Sequence, residues 1–232
     1  MLVRAQILDR DACAATCATV LALRERWTRR IPDAEFYTLG AASYLDRDPE
    51  RYRALAAATN PLLAEHFGAL HAAVAAALAG VVGAPVEHAP ALARPGFHVW
   101  GVPGIPTAPV ASLHFDLQYE NHLWPADACL ADTISFTLPL HLPRRGGGLT
   151  MWDTTKPRVD AFYRTGRFGG TLDDLTVLMP ERLEAYALGE LVVHSGLELH
   201  RIAPIAAVEP DDLRVTLQGH GVRVGARWQI YW

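Results

Sequence analysis

The sequence changes its hydrophobic periodicity at a proline-rich segment, residues 85–95, and this change limits the folds that the chain can adopt. Before the segment, large apolar residues recur every three or four positions, which predicts amphipathic helices within residues 1–84. After it, short alternating segments are separated by turn residues, a pattern typical of antiparallel strands over residues 97–222. Helices followed by a run of strands predict a mainly β fold, a double-sheet jelly roll with the N-terminal helices packed against one sheet.

Local signals predict where the N-terminal helices begin and end. A first helix is expected to start at Asp9 or Asp11, and a short second one to cover residues 49–58. Asn60 followed by Pro61 has the pattern of an N-cap and a first-turn proline, so it predicts the start of a separate long helix that ends near Gly80. The aromatic residues between positions 36 and 45 are interpreted as packing residues.

Composition narrows the classes of partner and compartment. The chain has 232 residues, of which 50% are hydrophobic, so we expect one domain over residues 1–232 with its own core. A net charge of -4 predicts binding neither to nucleic acid nor to an anionic membrane. Three cysteines are too few for a disulfide framework, and we recognise no leader pattern and no apolar run of about 18 residues. We therefore expect a soluble cytoplasmic protein whose partner is a small molecule or another protein.

One short stretch, residues 112–118, places a histidine and a carboxylate two positions apart. We expect a strand over residues 110–119, in which His114 and Asp116 share one face while Leu113 and Phe115 share the other. An imidazole and a carboxylate on the inner face of a sheet need a partner, and a divalent metal ion is one. A hydrogen-bonded His/Asp pair on a solvated strand is the alternative.

Downstream residues extend this motif. His200 lies 84 residues after Asp116 and would complete a set of two imidazoles and one carboxylate, the ligand set of non-haem Fe(II) oxygenases. His194, on the preceding predicted strand, is the rival to His200. Arg214 follows His200 by 14 residues and shares a strand face with Thr216. An inward-pointing arginine needs an anion, which is either a bound carboxylate or an internal Asp or Glu.

The order and spacing of these residues resemble the Fe(II)/2-oxoglutarate-dependent dioxygenase superfamily. The resemblance implies an iron site formed by His114, Asp116 and His200, and a site for the distal carboxylate of 2-oxoglutarate formed by Arg214 and Thr216. It favours His200 over its rival, because only His200 has the distance to the arginine that is found in the family. It also implies a cupin-like double-stranded β-helix core buttressed by helices. The implied reaction consumes dioxygen and oxidises a small molecule, by default through hydroxylation, with succinate and CO2 as co-products.

The substrate is expected to contact the segment 153–188, which is too long for a hairpin loop and is therefore interpreted as a lid. Arg164 and Arg167 lie in a locally cationic part of it and are the preferred partners of an anionic substrate, such as the carboxylate of an amino acid or related metabolite. A solvated loop with ordinary charges is the alternative. His122 is expected at the mouth of the pocket.

Two other functions are compatible with the same residues. A cupin-type metalloenzyme uses such a triad without 2-oxoglutarate, although the pair Arg214 and Thr216 argues against it. A non-catalytic jelly-roll binding module would contain the His/Asp pairs as structural groups.

Overall fold

The computed structural model describes residues 2–107, 113–166 and 168–232. Its helices are α1 Arg10–Ala22, α2 Pro49–Val82, α3 Lys156–Arg164 and α4 Leu172–Thr176. Its strands are β1 Leu2–Gln6, β2 Thr28–Arg29, β3 Phe36–Leu39, β4 Val86–His88, β5 Gly96–Gly101, β6 Ala128–His141, β7 Gly148–Thr155, β8 Glu181–Ala185, β9 Glu190–Ser195, β10 Glu198–Ile202, β11 Leu213–Val224 and β12 Arg227–Tyr231.

The strands form two sheets. The main sheet has the order β1-β9-β6-β11-β5-β3-β2, with β12 pairing to β11 and β4 pairing in parallel to β12. The smaller sheet has the order β10-β7-β8 and is antiparallel. Buried side chains from both sheets, among them Met151 of β7 and Val192 of β9, cluster together. The predicted mainly β architecture of two sheets with helices is confirmed.

The two faces of the main sheet have different roles. On β5, Phe97 and Val99 belong to the largest buried cluster, which also contains residues of α1 and α2. The alternate residues of the same strand, His98 and Trp100, line a cavity instead. Because side chains alternate along a strand, packing the helices on one face leaves the other face free to form a site.

The N-terminal part departs from the prediction in two ways. It is helical and also contributes strands, since β1 pairs with β9 and β3 pairs with β5 in the main sheet. The segment 49–82 begins at a helix cap formed by Asp48 and stays helical through Asn60, where a break was expected; its break is a kink at Phe67. The side chain of Asn60 bonds the backbone of Leu92 and Arg94, so it holds the connection after the helix rather than capping a new helix.

A continuous buried stripe explains why α2 runs through Pro61. Residues such as Ala56, Leu63 and Leu78 are all at most 3% exposed, so one apolar face packs along the length of the helix. This tertiary packing outweighs the local cost of an internal proline. A non-helical backbone at Phe67 marks a kink, and Gly83, in the left-handed conformation, ends the helix.

The helix α2 departs from the expectation that no apolar segment is long enough to span a membrane. In the described part of the chain, α2 is the one helix long and apolar enough to cross a membrane by length and composition alone. A stripe along it, including Leu63, Phe67 and Leu78, belongs to the buried core of this fold.

The strand predicted over residues 110–119 is wrong in its described part. Residues 113–117 form no regular strand, and residues 118–121 form a 3-10 turn. His114 pairs with β10 only through an isolated bridge to His200. Residues 110–112 of the prediction lie outside the described residues.

Candidate active site

Backbone pairing places the three predicted metal ligands together. The His114 N–H donates to the His200 carbonyl at 3.0 Å, and the His200 N–H donates back to the His114 carbonyl at 3.1 Å. The Asp116 N–H donates to the carbonyl of Gly196 at 2.7 Å, which fixes the segment beside the start of β10. As a result, one ligand atom from each of His114, Asp116 and His200 lies within 4.8 Å of the others. Two imidazoles and one carboxylate in this arrangement suit a first-row transition metal ion with open positions.

Hydrogen bonds orient the ligands. The Nδ1 atom of His200 lies 2.9 Å from the carbonyl oxygen of Glu198, so the ring donates there and directs its Nε2 atom to the cluster. That Nε2 atom lies 3.3 Å from Oδ2 of Asp116, and Nε2 of His114 lies 3.8 Å from Oδ1. Gln118 donates from its side chain to Asp116 at 3.1 Å.

Charges in the cluster favour an ionised carboxylate. Burial raises the pKa of Asp116, but the charge and hydrogen bond of His200 outweigh it, so the pKa lies well below its usual value. Burial lowers the pKa of His200, whereas Asp116 raises it, with a net increase. An ionised carboxylate buried between imidazoles has the charge that a divalent cation needs.

His194 lies next to this cluster but outside it. Its ring centroid is 4.7 Å from that of His200, and its Nδ1 atom bonds the carbonyl oxygen of Ser195 at 2.9 Å. Burial lowers its pKa to about 4, so the imidazole is neutral near pH 7. The geometry therefore gives His194 a supporting position beside His200.

Arg214 is the most unusual charged group in the fold. It is 2% exposed, and all three nitrogens of its guanidinium are buried without a hydrogen-bond partner among the described residues. Burial lowers its pKa. The ring of Tyr186 lies beside it, with its centroid 5.9 Å from the Arg214 Cζ atom. A buried guanidinium without an internal carboxylate is costly, and a bound anion would satisfy it.

Thr216 shares the inward face of β11 with Arg214 and is fully buried. In the sheet, Arg214 lies opposite Trp100 and Thr216 opposite His98. Further along the same face, Gln218 and His220 line the main cavity, whereas Arg214 and Thr216 are not among its lining residues. The strand thus connects the cavity to the buried guanidinium.

The main cavity has a volume of about 1030 Å³ and contains the three candidate ligands in its wall. A polar part of the wall comes from the main sheet, where Ser135 Oγ and His220 Nδ1 are 3.0 Å apart. Tyr44 and His98 are hydrogen-bonded through the hydroxyl and Nε2. Burial, and then the positive charge of Arg214, place the pKa of His98 well below its usual value.

Sequence reasoning missed Tyr44 and His98 as site residues. Tyr44 was interpreted as packing, and it reaches the cavity from the connection between β3 and α2. The alternation of Phe97 to Trp100 was the available signal for His98, because it separates a core-facing pair from a pair of different chemistry.

The predicted substrate-binding residues are not brought to the main cavity. Arg164 is exposed at the end of α3, and Arg167 lies outside the described residues. In the described part of the segment 153–188, no residue lines the cavity, and β8 extends the smaller sheet. His122 lines a neighbouring cavity of about 200 Å³, with its Nε2 atom buried without a partner within the described chain. Burial lowers the pKa of His122 to about 4.

Comparisons of structure find the same fold in proteins of known structure. The chain is similar to an N-substituted L-amino acid dioxygenase from Burkholderia ambifaria AMMD in complex with alpha-KG, with a TM-score of 0.56 at 13% identity, covering 100% of this chain and 86% of the other. It is also similar to the non-haem alpha-ketoglutarate-dependent epimerase SnoN from nogalamycin biosynthesis, with a TM-score of 0.55 at 16% identity, covering 96% and 80%. For the carbocyclase SnoK from the same biosynthesis, the TM-score is 0.54 at 17% identity, covering 95% and 78%.

Comparisons of sequence find no match, either to a family model or to a curated protein. At the identities above, the similarity shows a shared fold. The function has to be argued from the site itself.

Proposed function

We propose that this protein is a non-haem Fe(II)- and 2-oxoglutarate-dependent dioxygenase that oxidises a small molecule. The observation that carries the proposal is Arg214, whose three guanidinium nitrogens are buried and unpartnered within the described residues of a fold that also assembles a His/Asp/His cluster. Neither alternative accounts for this combination. A cupin-type enzyme without 2-oxoglutarate leaves the buried cation without a counter-ion. A binding module with structural histidines does not explain why two imidazoles and a carboxylate come together with the spacing of a metal site.

The residues present fit both Fe(II) and 2-oxoglutarate. His114, Asp116 and His200 would hold Fe(II), since their ligand atoms lie within 4.8 Å of one another. Arg214 would hold the distal carboxylate of 2-oxoglutarate through a two-bond fork, with Thr216 beside it on β11. Iron with 2-oxoglutarate supplies dioxygen activation, coupled to the release of succinate and CO2.

The protein's own contribution is orientation and exclusion of water. The Glu198 carbonyl holds the His200 ring in one tautomer, and Gln118 holds one oxygen of Asp116. Asp116 and His200 are 8% and 4% exposed, so the charges of this cluster act in a poorly solvated environment. We propose hydroxylation as the reaction, and an anionic small molecule as the substrate.

The proposal also covers the chain as a whole. We take residues 1–232 as one catalytic domain with a jelly-roll core over residues 97–222, supported by the pairing of β1 and β3 with strands of the main sheet. We propose a cytoplasmic location, supported by the three free cysteines, Cys13, Cys17 and Cys129.

Anaerobic titration tests the proposal directly. We expect Fe(II) to bind with one ion per chain, and 2-oxoglutarate then to produce a weak visible absorption band that needs both components. Arg214→Met should abolish the band at 2-oxoglutarate concentrations that saturate the wild type, while iron binding stays intact. Iron binding without a band in the wild type would favour the cupin-type alternative, and absence of iron binding would favour the binding module.

A further inference from the structure

An apolar wall occupies part of the main cavity. Phe36 and Trp100 stack with their ring centroids 3.7 Å apart and their planes within 10° of parallel, and Ile105 belongs to the same buried cluster. Further apolar residues, Ile31, Pro103 and Pro106, also line the cavity. Its volume of about 1030 Å³ is at the upper end of the range for drug-sized ligands. Such a wall binds a ligand with an extended apolar surface.

Arg47 is the basic residue at this cavity. Among the described residues that line it, Arg47 and Asp116 are the two that carry a formal charge, histidines apart, and Asp116 belongs to the candidate iron site. Arg47 is exposed, and within the described chain no ion pair or hydrogen bond of its guanidinium is found. The N–H donors of its guanidinium are therefore available to bind a carboxylate through two parallel hydrogen bonds.

The connection that carries Arg47 is held firmly. The neighbouring residue, Asp46, accepts two hydrogen bonds from Arg30, at 2.7 and 2.8 Å, and these side chains are 0% and 4% exposed. Asp46 also accepts from the Ala42 N–H at 3.1 Å. Tyr44 of the same connection is bonded to His98 of β5. A side chain on a fixed backbone loses less entropy when it binds a ligand.

We infer that the substrate is an anion with an extended apolar body, and that Phe36 and Trp100 bind the body while Arg47 binds the acidic group. This inference rests on the proposed function and deepens it, because it assigns the anion-binding role to Arg47 rather than to Arg164 or Arg167. Arg47 acts as a specificity-determining residue, since it selects substrates that carry an acidic group.

Two probes that share one ring system test the inference. 2-Naphthoate carries a carboxylate and 2-naphthol a neutral hydroxyl, so their difference in Kd isolates the charge. Binding is measured by isothermal titration calorimetry near neutral pH, under nitrogen, with Fe(II) and saturating 2-oxoglutarate present so that Arg214 is already occupied. The variants are Arg47→Ala and, as a matched control, Arg53→Ala, an exposed arginine that lines only the neighbouring smaller cavity.

The expected preference for 2-naphthoate is about threefold to fivefold, because the pair formed by Arg47 is solvent-exposed. Arg47→Ala should remove the preference and Arg53→Ala should keep it. Trp100→Leu should weaken both probes, whereas Trp228→Leu, on the helix-facing side of the sheet, should weaken neither. Equal binding of the two probes, no binding of either, or a preference that survives Arg47→Ala overturns the inference. Failure of the proposed function is seen separately, as absence of the visible band before any probe is added. The preference for 2-naphthoate in Arg47→Ala, compared with that in Arg53→Ala, then still decides the inference.

Discussion

Replacing Arg214 with methionine tests whether this arginine binds a ligand or stabilises the fold. Arg214 is buried and has no hydrogen-bond partner within the described residues, whereas Arg30, whose side chain is 4% exposed, forms a two-bond fork with Asp46. The fold therefore provides its own control, Arg30→Met. The two substitutions are chemically identical and differ only in what the guanidinium touches.

The magnitudes follow from these environments. In Arg214→Met, the ligand-free protein loses a buried unpaired charge and a weak contact with the Tyr186 ring, so its free energy of unfolding should stay unchanged or rise by about 1–3 kcal/mol. In Arg30→Met, the buried Asp46 loses its two-bond fork and keeps only the Ala42 N–H and an Arg51 nitrogen 3.9 Å away. The free energy of unfolding should therefore fall by about 3 kcal/mol, the low end of the range for a broken buried pair. For 2-oxoglutarate, loss of two charge-assisted hydrogen bonds to Arg214 should raise the Kd roughly 10²- to 10³-fold.

The assay is urea unfolding of the wild type and both variants, with and without 2-oxoglutarate in the presence of anaerobic Fe(II). At about 100 times its Kd, the ligand should stabilise the wild type by about 2.7 kcal/mol, and at the same concentration it should stabilise Arg214→Met by less than about 0.5 kcal/mol. A loss of ligand-free stability in Arg214→Met as large as that in Arg30→Met, with 2-oxoglutarate stabilisation intact, would refute the argument. Arg214 would then be a structural residue.

Three further predictions concern the metal, pH and packing. Replacing any one of the three candidate iron ligands by alanine should abolish iron retention after desalting, measured by metal analysis, whereas His194→Ala should weaken retention by about 10- to 100-fold; the reverse pattern would reassign the ligand. Burial lowers the pKa of His71 to about 4, so the unfolded chain binds more protons below the ordinary pKa, and stability should fall by about 2 kcal/mol from this residue between pH 7 and 5. Urea unfolding of His71→Phe should show a shallower pH dependence than the wild type, and an unchanged dependence would contradict this reasoning. Gly96→Ala should lower the melting temperature sharply, because its Cβ would lie 2.2 Å from a buried tryptophan ring, whereas Gly80→Ala in α2, with nothing within 4 Å, should raise it slightly; equal effects would contradict the packing described here.

The sequence alone was enough to predict the fold class and to tell which side chains of a strand face the core and which face the site. Alternation along β5 and β11 follows from the backbone geometry of a strand, so the separation of core-facing from site-facing residues can be predicted without coordinates. The grouping of His114, Asp116, His200 and Arg214 was predicted in another way, from the resemblance of their order and spacing to a known family. Alternation depends only on local backbone geometry, which is a property of the chain itself.

Only the tertiary structure decided which groups meet. Asn60 has the local pattern of a helix cap, yet a long buried stripe keeps the backbone helical through this position, and the side chain bonds Leu92. Arg47 and Arg164 have the same chemistry in the sequence, but only Arg47 reaches the main cavity. Such outcomes depend on burial and contacts between residues far apart in the chain, and a local pattern contains no information on either, because each is set by the packing of the whole molecule.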